Sequence, residues 1–279
     1  MSINTNVLTK QGLYSIIKAR EVNDMNEEQT DLFLEDILEF GKQYVATGAQ
    51  VKRVEDSMIN LCKIYGFEDA EIYAITTLII ATIKNKDGEH FTQSVRVTKS
   101  GTDLGRLEEI NEVYKYICSA KPDLEELDRI IKHPKKTKPK PFFKLIGYML
   151  AAGSFAIFFG GNLRDGLAAA VVGIFIYLMD YHFRLKKINN IVYTLTASFF
   201  AGALAIISTY FGLGENIDKI MIGDIMLFIP GLLLVNSVQE MFNKDIVAGL
   251  YKLIEALFTA TAIAGGYALS MILLGGMLK

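Results

Sequence analysis

The second half of this chain is a succession of long apolar stretches, and they constrain its fold more than any other feature. About 20 mostly apolar residues in a helix cross the hydrocarbon core of a bilayer. From Phe142 onward, stretches close to this length follow one another, with charges confined to short clusters. Such stretches have no polar face to present to water. The sequence therefore predicts a membrane protein with about five helical spans. The predicted spans are 142–161, 166–182, 191–212, 219–238 and 255–277.

Positive charges in the connections predict the orientation of these spans. A run of four lysines and three prolines between His133 and Pro141 precedes the first span, and Arg184, Lys186 and Lys187 follow the second. Positive residues favour the cytoplasmic side of a membrane. We therefore expect a multi-pass protein of the plasma (inner) membrane, with its N-terminus in the cytoplasm and its C-terminus outside. The basic run also predicts contact with anionic membrane lipids.

The polar first half predicts a small α/β domain. Residues 31–65 follow a helical period that two glycines interrupt. Residues 71–84 are rich in β-branched side chains, and Asp87–Gly88 predicts a hairpin turn before a returning strand at 91–98. The fold class is thus an α-helical membrane protein preceded by a cytoplasmic α/β domain with a small antiparallel sheet. The predicted regions are an N-terminal segment at 1–30, the α/β domain at 31–132, a basic Pro/Lys linker at 133–141 and a transmembrane domain at 142–279.

The sequence contains no pattern that indicates catalysis or cofactor binding. The glycine-rich segment Gly101–Gly105 lacks both the lysine of a phosphate-binding loop and the third glycine of a dinucleotide loop. The three histidines are isolated and the two cysteines do not form a Cys-x-x-Cys motif, which argues against a metal site. We therefore expect no enzyme activity, no cofactor, no metal and no nucleic-acid partner.

The fourth predicted span holds the most informative polar residues. Asp224 lies more than a turn inside it, and ionisable groups within spans tend to face a cavity or a partner. Pro230 and Gly231 follow near the middle, where they predict a break that frees backbone carbonyls. Asn236 and Glu240 then share one helix face. These five residues are the candidate substrate-binding residues. The alternative is a kinked helix in which Asn236 and Glu240 simply reach the cytoplasmic interface.

Small residues at spacings of four predict close helix packing in two spans. Such residues let helix backbones approach each other, either within the chain or towards a partner. The residues concerned are Ala197, Ala201 and Ala205 in the third span, and Ala256, Ala260, Ala264 and Ala268 in the fifth.

Two segments of the chain resemble the threonine/serine exporter family. The segment Gly48–Glu55, continuing through Gly66 to the Thr76–Thr77 strand, resembles the N-terminal domain of that family. The segment Phe228–Gly231, with the Asn236 and Glu240 that follow it, resembles the family's fourth-span motif. The resemblance covers about residues 31–274, and the order of a polar domain followed by five helices also agrees. The motif residues of the soluble domain are Gly48, Arg53, Glu55 and Thr76.

The resemblance implies a secondary exporter of small metabolites. Fused members of the family have ten helices, whereas this chain is similar to a split form in which a second, smaller membrane protein supplies the other five. The fused form is associated with threonine and serine, and the split form with a dicarboxylate such as succinate. The resemblance therefore implies a second multi-pass subunit as partner, with a homo-oligomer as the alternative.

The residues themselves leave the substrate open and leave a second class of function open. The spans offer carboxylates and hardly any cation, which slightly favours an amino acid over a dicarboxylate. The alternative function is a membrane-anchored sensor or scaffold whose cytoplasmic domain binds a ligand. A plain anchor, however, needs neither five spans nor a central proline–glycine break.

Overall fold

A computed structural model describes residues 25–98, 101–133, 141–185 and 189–278. The chain forms two compact units. The first comprises Met1–Thr137 together with Asn236–Leu250, and the second comprises Lys138–Val235 together with Tyr251–Lys279. Most of the predicted N-terminal segment, most of the basic linker, and Lys186 and Lys187 lie outside the described residues.

The first unit begins with two helices, α1 (Glu27–Ala46) and α2 (Val51–Ile64). Asn26 starts α1 by accepting a hydrogen bond from the Gln29 amide at 2.8 Å. Of the two glycines expected to interrupt the helical run, only Gly48, which has a φ of +82°, does so, because Gly41 lies within α1. A Cβ at Gly48 would also lie 2.9 Å from the Gly101 carbonyl oxygen, so both conformation and space require glycine there.

A three-stranded antiparallel sheet follows, in the order β1 (Ala70–Ala74), β2 (Leu78–Lys84) and β3 (His90–Arg96). The β-rich run at 71–84 is therefore two strands and not one. A tight turn divides it, because the Ile75 amide donates to the Leu78 carbonyl at 2.8 Å. The predicted hairpin between β2 and β3 is confirmed, with Gly88 at a φ of +88°. Two further helices, α3 (Leu104–Ala120) and α4 (Leu124–Lys132), complete this part of the unit.

The core of the first unit forms where one face of the sheet packs with α1 and α2. Alternate residues of β2 are buried, as expected for a strand with one face in the core. A residue from late in the chain, Ala248, belongs to the same apolar cluster. Fully buried members of this cluster include Phe33, Leu34, Ile37, Val54, Met58, Leu61, Ile79 and Ile83.

One buried carboxyl group makes the stability of the first unit depend on pH. Asp36 lies on α1, and the Lys132 ammonium nitrogen is 3.6 Å from its Oδ1. Burial, together with the nearby Asp128 carboxylate, raises the pKa of Asp36 to about 7, and Lys132 only partly opposes this. Between pH 4 and pH 7 the folded chain therefore holds a proton that the unfolded chain has released.

We expect stability to fall as pH rises through this window, because the folded state binds more protons there than the unfolded state. The contribution of Asp36 should be at most about 1.4 kcal/mol per pH unit, and it should level off above pH 7. Asp36→Asn should flatten this slope, as measured by thermal unfolding of the full chain in detergent between pH 5 and pH 8. Glu28→Gln, an exposed site on the same helix, should keep the wild-type slope. An unchanged slope in Asp36→Asn would contradict the assignment.

The second unit is helical within the described residues. Its elements are α5 (Pro141–Phe158), α6 (Leu163–Leu185), α7 (Asn190–Tyr210), α8 (Ile217–Ile225), the first residues of α9 (Gly231–Phe242), and most of α10 (Ile246–Leu274), which a short 3₁₀ helix (Gly275–Leu278) follows.

Three of the described helices, α5, α7 and α10, are long and apolar enough to cross a membrane. The other two predicted spans differ from the expectation. Helix α6 has 23 residues, but acidic side chains at Asp165 and Asp180 leave only a short uncharged stretch. The fourth predicted span is not one helix, because α8 has nine residues and α9 has twelve.

The small residues of the third and fifth predicted spans behave differently. On α7, all three alanines of the predicted seam are fully buried, which confirms close packing there. On α10, Ala256 is buried, but Ala260, Ala264 and Ala268 are exposed in the described part of the chain. For these three alanines, close packing towards a partner stays a prediction. The close approach of α10 to α7 occurs instead at Gly266, where a Cβ would lie 2.6 Å from the Leu195 carbonyl oxygen.

Candidate functional site

The structure divides the candidate residues between the two units. Asp224, Pro230 and Gly231 belong to the second unit. Asn236 and Glu240 belong to the first unit, together with the soluble-domain motif residues Gly48, Arg53, Glu55 and Thr76.

Asp224 lies in the last turn of α8 and is fully buried. Neither of its carboxylate oxygens has a hydrogen-bond partner in the described part of the chain. Its neighbours in sequence, Ile220 and Met221, belong to the apolar cluster of the second unit. Burying a charged carboxylate without a partner is costly, and proteins retain such groups within membrane segments mainly for function. The arrangement suits Asp224 to take a proton or a positively charged group.

Glycine brings α8 close to α5 beside this carboxylate. A Cβ at Gly223 would lie 2.5 Å from the Ala152 carbonyl oxygen and 2.9 Å from the Ala156 amide nitrogen. The two helix backbones are therefore in direct contact. This packing holds the end of α8, and with it Asp224, against a membrane-length helix.

Tyr267 on α10 is a polar neighbour of Asp224 that the sequence pattern does not single out. It is buried, and its hydroxyl also has no hydrogen-bond partner among the described residues. It lies close enough to Asp224 for the carboxylate charge to act on it. Its ring packs on α7, since a Cβ at Gly202 would be 3.0 Å from Tyr267 Cδ1. In the sequence, a tyrosine within an apolar stretch could have pointed to this residue. Tyrosine is also common in hydrophobic cores, however, so the pattern does not distinguish a functional side chain from a structural one.

The predicted break at Pro230–Gly231 is present. Helix α8 ends at Ile225 and α9 begins at Gly231, so residues 226–230 lie outside both helices. Pro230 has no amide to donate, and the Gly231 amide donates only to the Ile229 carbonyl, at 2.8 Å. The break therefore begins directly after the helical turn that carries Asp224, and it places the positive end of a helix dipole at Gly231.

Three further charged residues are buried among the described residues of the second unit: Asp165, Asp180 and Lys252. The Lys144 ammonium nitrogen lies 2.7 Å from Asp180 Oδ2, and the Tyr148 hydroxyl donates to the same oxygen at 3.2 Å. This ion pair joins α5 to α6. Lys252 on α10 is also buried. The second unit therefore holds a buried Lys252 and a partly buried Lys144, although the sequence led us to expect hardly any cation in the spans.

Asn236 and Glu240 contact the connection between α1 and α2 within the first unit. The Val51 amide donates to Glu240 Oε1 at 2.9 Å, and Glu240 is fully buried. The Asn236 side-chain amide donates to the Gly48 carbonyl at 3.3 Å. The sequence alone offers no signal that residues so far apart meet.

The other motif residues of the first unit hold its elements together. The Arg53 guanidinium donates to Asn111 Oδ1 at 3.0 Å and lies over the Tyr44 ring. Glu55 Oε1 accepts from the Ala74 amide at 2.9 Å, which fixes the end of β1, and burial raises the pKa of this carboxyl group. Thr76 is buried in the turn between β1 and β2. Arg53, Glu55 and Thr76 therefore each have a structural role within the first unit.

Comparison with known proteins identifies the family of the chain. A family model described as "Putative threonine/serine exporter" matches residues 36–274. An uncharacterized protein of Schizosaccharomyces pombe is 29% identical over 187 residues, which cover 63% of this chain and 22% of that protein. A probable threonine/serine exporter of Mycobacterium tuberculosis is 22% identical over 264 residues, covering 91% of this chain and 48% of that protein.

A probable succinate transporter subunit, YjjP, of Klebsiella aerogenes is 24% identical over 237 residues, covering 82% of this chain and 88% of that protein. The chain spans less than half the length of the Schizosaccharomyces and Mycobacterium relatives. No solved structure gives a significant match. The family match covers most of the chain, including both units and the Pro230–Gly231 break. The chain therefore belongs to the threonine/serine exporter family of membrane proteins.

Proposed function

We propose that this chain is a subunit of a secondary transporter that exports small metabolites across the plasma membrane. The observation that carries the proposal is the fully buried Asp224 carboxylate, which has no hydrogen-bond partner in the described part of the chain. A structural role does not require such a group, because an apolar side chain would pack there at lower cost. A carrier does require a polar group that binds and releases its cargo or a proton.

The broken helix supports the same function. Discontinuous membrane helices expose backbone carbonyls and helix termini to substrates and ions in many secondary transporters. In this chain the break at 226–230 immediately follows α8, which carries Asp224. We propose that Asp224, the backbone at Pro230 and Gly231, and the Tyr267 hydroxyl contact the transported species or a coupling proton.

The proposed topology has five spans, with α8 and α9 together forming a broken fourth one. Helix α6 would be the second span, and its Asp180 charge is balanced by Lys144. The N-terminus would lie in the cytoplasm, since the basic run before α5 favours that side. An odd number of spans also suits a second set of helices with inverted topology. One relative is named a transporter subunit, which supports a partner subunit, with a homo-oligomer as the alternative.

Two substrate classes are compatible with the charges of the second unit. The Asp224 carboxylate suits the ammonium group of a threonine- or serine-type amino acid. Lys252 is a buried cation of the same unit, but it already has an interaction partner, so it does not decide between an amino acid and a dicarboxylate such as succinate. Direct measurement of export separates the two classes.

Export of labelled threonine, serine and succinate from preloaded cells tests the proposal. The chain would be expressed alone and with a second, smaller multi-pass protein of its family from the same organism. We expect flux of one substrate class, and a requirement for the second protein would establish a half-transporter. Flux with the chain alone would establish a homo-oligomer. No flux in either case, with the chain folded in the membrane, would contradict the proposal and favour a sensor or scaffold.

A further inference from the structure

A segment that lies late in the sequence is built into the first unit. We call Asn236–Leu250 the elbow; it comprises the second half of α9, the connection after it and the first residues of α10. We call the rest of the first unit, whose described residues are 25–98 and 101–133, the N-terminal unit. We propose that the N-terminal unit acts as a latch that holds the elbow, and that the latch controls movement at the Pro230–Gly231 break. This inference rests on the proposed export function and adds a regulatory role for the N-terminal unit.

The contacts between the elbow and the rest of the first unit are specific. At the N-terminus of α2, the side chain of Gln50 makes no capping hydrogen bond to the helix amides. The cap comes instead from Glu240, whose Oε1 accepts from the Val51 amide. A carboxylate suits this position because helix N-termini carry unpaired amides and partial positive charge. The Gln50 side-chain amide also donates to Gln239 Oε1.

The elbow is held at both of its ends. Asn236 donates to the Gly48 carbonyl at its start, and Ala248 lies in the apolar core of the first unit near its end. Within the elbow, a Cβ at Gly249 would be 2.7 Å from the Ser237 carbonyl oxygen, so α9 and α10 are closely packed there. The elbow is thus a compact structure that contacts the N-terminal unit through polar side chains and through Ala248.

Helix α9 runs without interruption from the break to the latch contacts. It begins directly after the break, at Gly231, and contains Asn236, Gln239 and Glu240. Nine residues of helix separate Gly231 from Glu240, a distance of about 14 Å at 1.5 Å per residue. A helix this short moves as a rigid rod. A change of angle at the break therefore displaces the Glu240 carboxylate, and hydrogen bonds to it tolerate only a few tenths of an ångström.

A reversible cross-link across the latch tests the inference. Gln50→Cys and Gln239→Cys, in a Cys118→Ser background, would be joined by a short bis-methanethiosulfonate reagent that a reducing agent removes. Such a linker tolerates a wider spacing than a direct disulfide does. We expect at least a tenfold loss of export in the cross-linked protein and recovery after reduction. Unchanged export in protein shown to be cross-linked would overturn the proposal.

The matched control is the pair Thr82→Cys and Thr92→Cys, on neighbouring strands of the same unit. The hydroxyls of these threonines are 2.9 Å apart and exposed, so the same reagent can join them without touching the elbow. Cross-linking this pair should leave export unchanged. If it also abolished export, the loss would reflect general stiffening of the unit, and the proposal would be overturned.

Hydrogen exchange separates failure of the latch from failure of the transport proposal. Cross-linking residues 50 and 239 should slow exchange at residues 226–231, whereas the control pair should not. Glu240→Ala should speed exchange at the Val51 amide, and Glu240→Gln, which keeps the accepting oxygen, should restore protection. If neither the wild type nor any variant exports, the transport proposal fails and these exchange rates alone decide the latch. Equal exchange at 226–231 in the cross-linked and reduced proteins would then overturn it.

Discussion

Asp224→Asn should abolish export while leaving the protein folded in the membrane. The amide has nearly the shape of the carboxylate but neither its charge nor its ability to bind and release a proton. We expect export to fall at least about tenfold, which corresponds to about 1.4 kcal/mol in the barrier to transport. Thermal stability should be equal to or higher than that of the wild type, because burying an amide costs less than burying an unpaired carboxylate. Export assays and thermal unfolding in detergent measure the two effects.

Asp218→Asn is the matched control, since Asp218 lies on the same short helix, α8. Its side chain is 62% exposed and pairs with Lys219 at 3.0 Å. Exposed pairs of this kind contribute about 0–1 kcal/mol. Export and stability should therefore remain near wild type. Full activity in Asp224→Asn, or equal losses in both variants, would contradict a transport role for the buried carboxylate.

Gly223→Ala should destabilise the second unit strongly. An alanine at an interior helix position normally gains up to about 1 kcal/mol over glycine. At Gly223, however, the new methyl group would overlap backbone atoms of Ala152 and Ala156 on α5, and backbone cannot rotate aside. Overpacking of this kind costs about 1–3 kcal/mol, so the clash outweighs the gain. We expect the midpoint of thermal unfolding to fall by about 2–4 °C for each net kcal/mol lost.

Gly147→Ala provides the comparison within α5. This glycine is exposed, and a Cβ there would meet no described atom within 4 Å. The substitution should therefore leave the unfolding midpoint unchanged or raise it slightly. If Gly223→Ala were as stable as Gly147→Ala, the close approach of α8 to α5 would be wrong.

Much of the architecture follows from local signals in the sequence. Long apolar stretches locate α5, α7 and α10, because a membrane-length helix needs little beyond continuous apolar residues. The break in the fourth predicted span was also foreseeable, since Pro230 cannot donate a backbone hydrogen bond. Gly48 interrupts the helical run because its conformation and its close neighbour exclude a side chain.

The features that escaped prediction depend on contacts between distant parts of the chain. The exposed alanines of α10 have the same spacing as the buried alanines of α7, and only the fold distinguishes them. Tyr267 becomes notable only because it is buried within electrostatic reach of Asp224, and Lys252 only because it is buried. The β-rich composition of residues 71–84 does not reveal the turn at Ile75, because the residues of this turn are themselves strand formers. Asn236 and Glu240 were correctly placed on one helix face, but their contacts with the α1–α2 connection were not predictable.

The cap on α2 has a consequence for how the chain is made. The Val51 amide and the Glu240 carboxylate that accepts its hydrogen bond are 189 residues apart in the chain. At 5–20 residues per second, synthesis of the intervening chain takes about 10–40 s. The part of the first unit that precedes α5 in the chain therefore completes its fold late, after α5, α6, α7 and α8 have been synthesised. The N-terminal unit thus completes its fold only after the helices that precede the elbow have been synthesised.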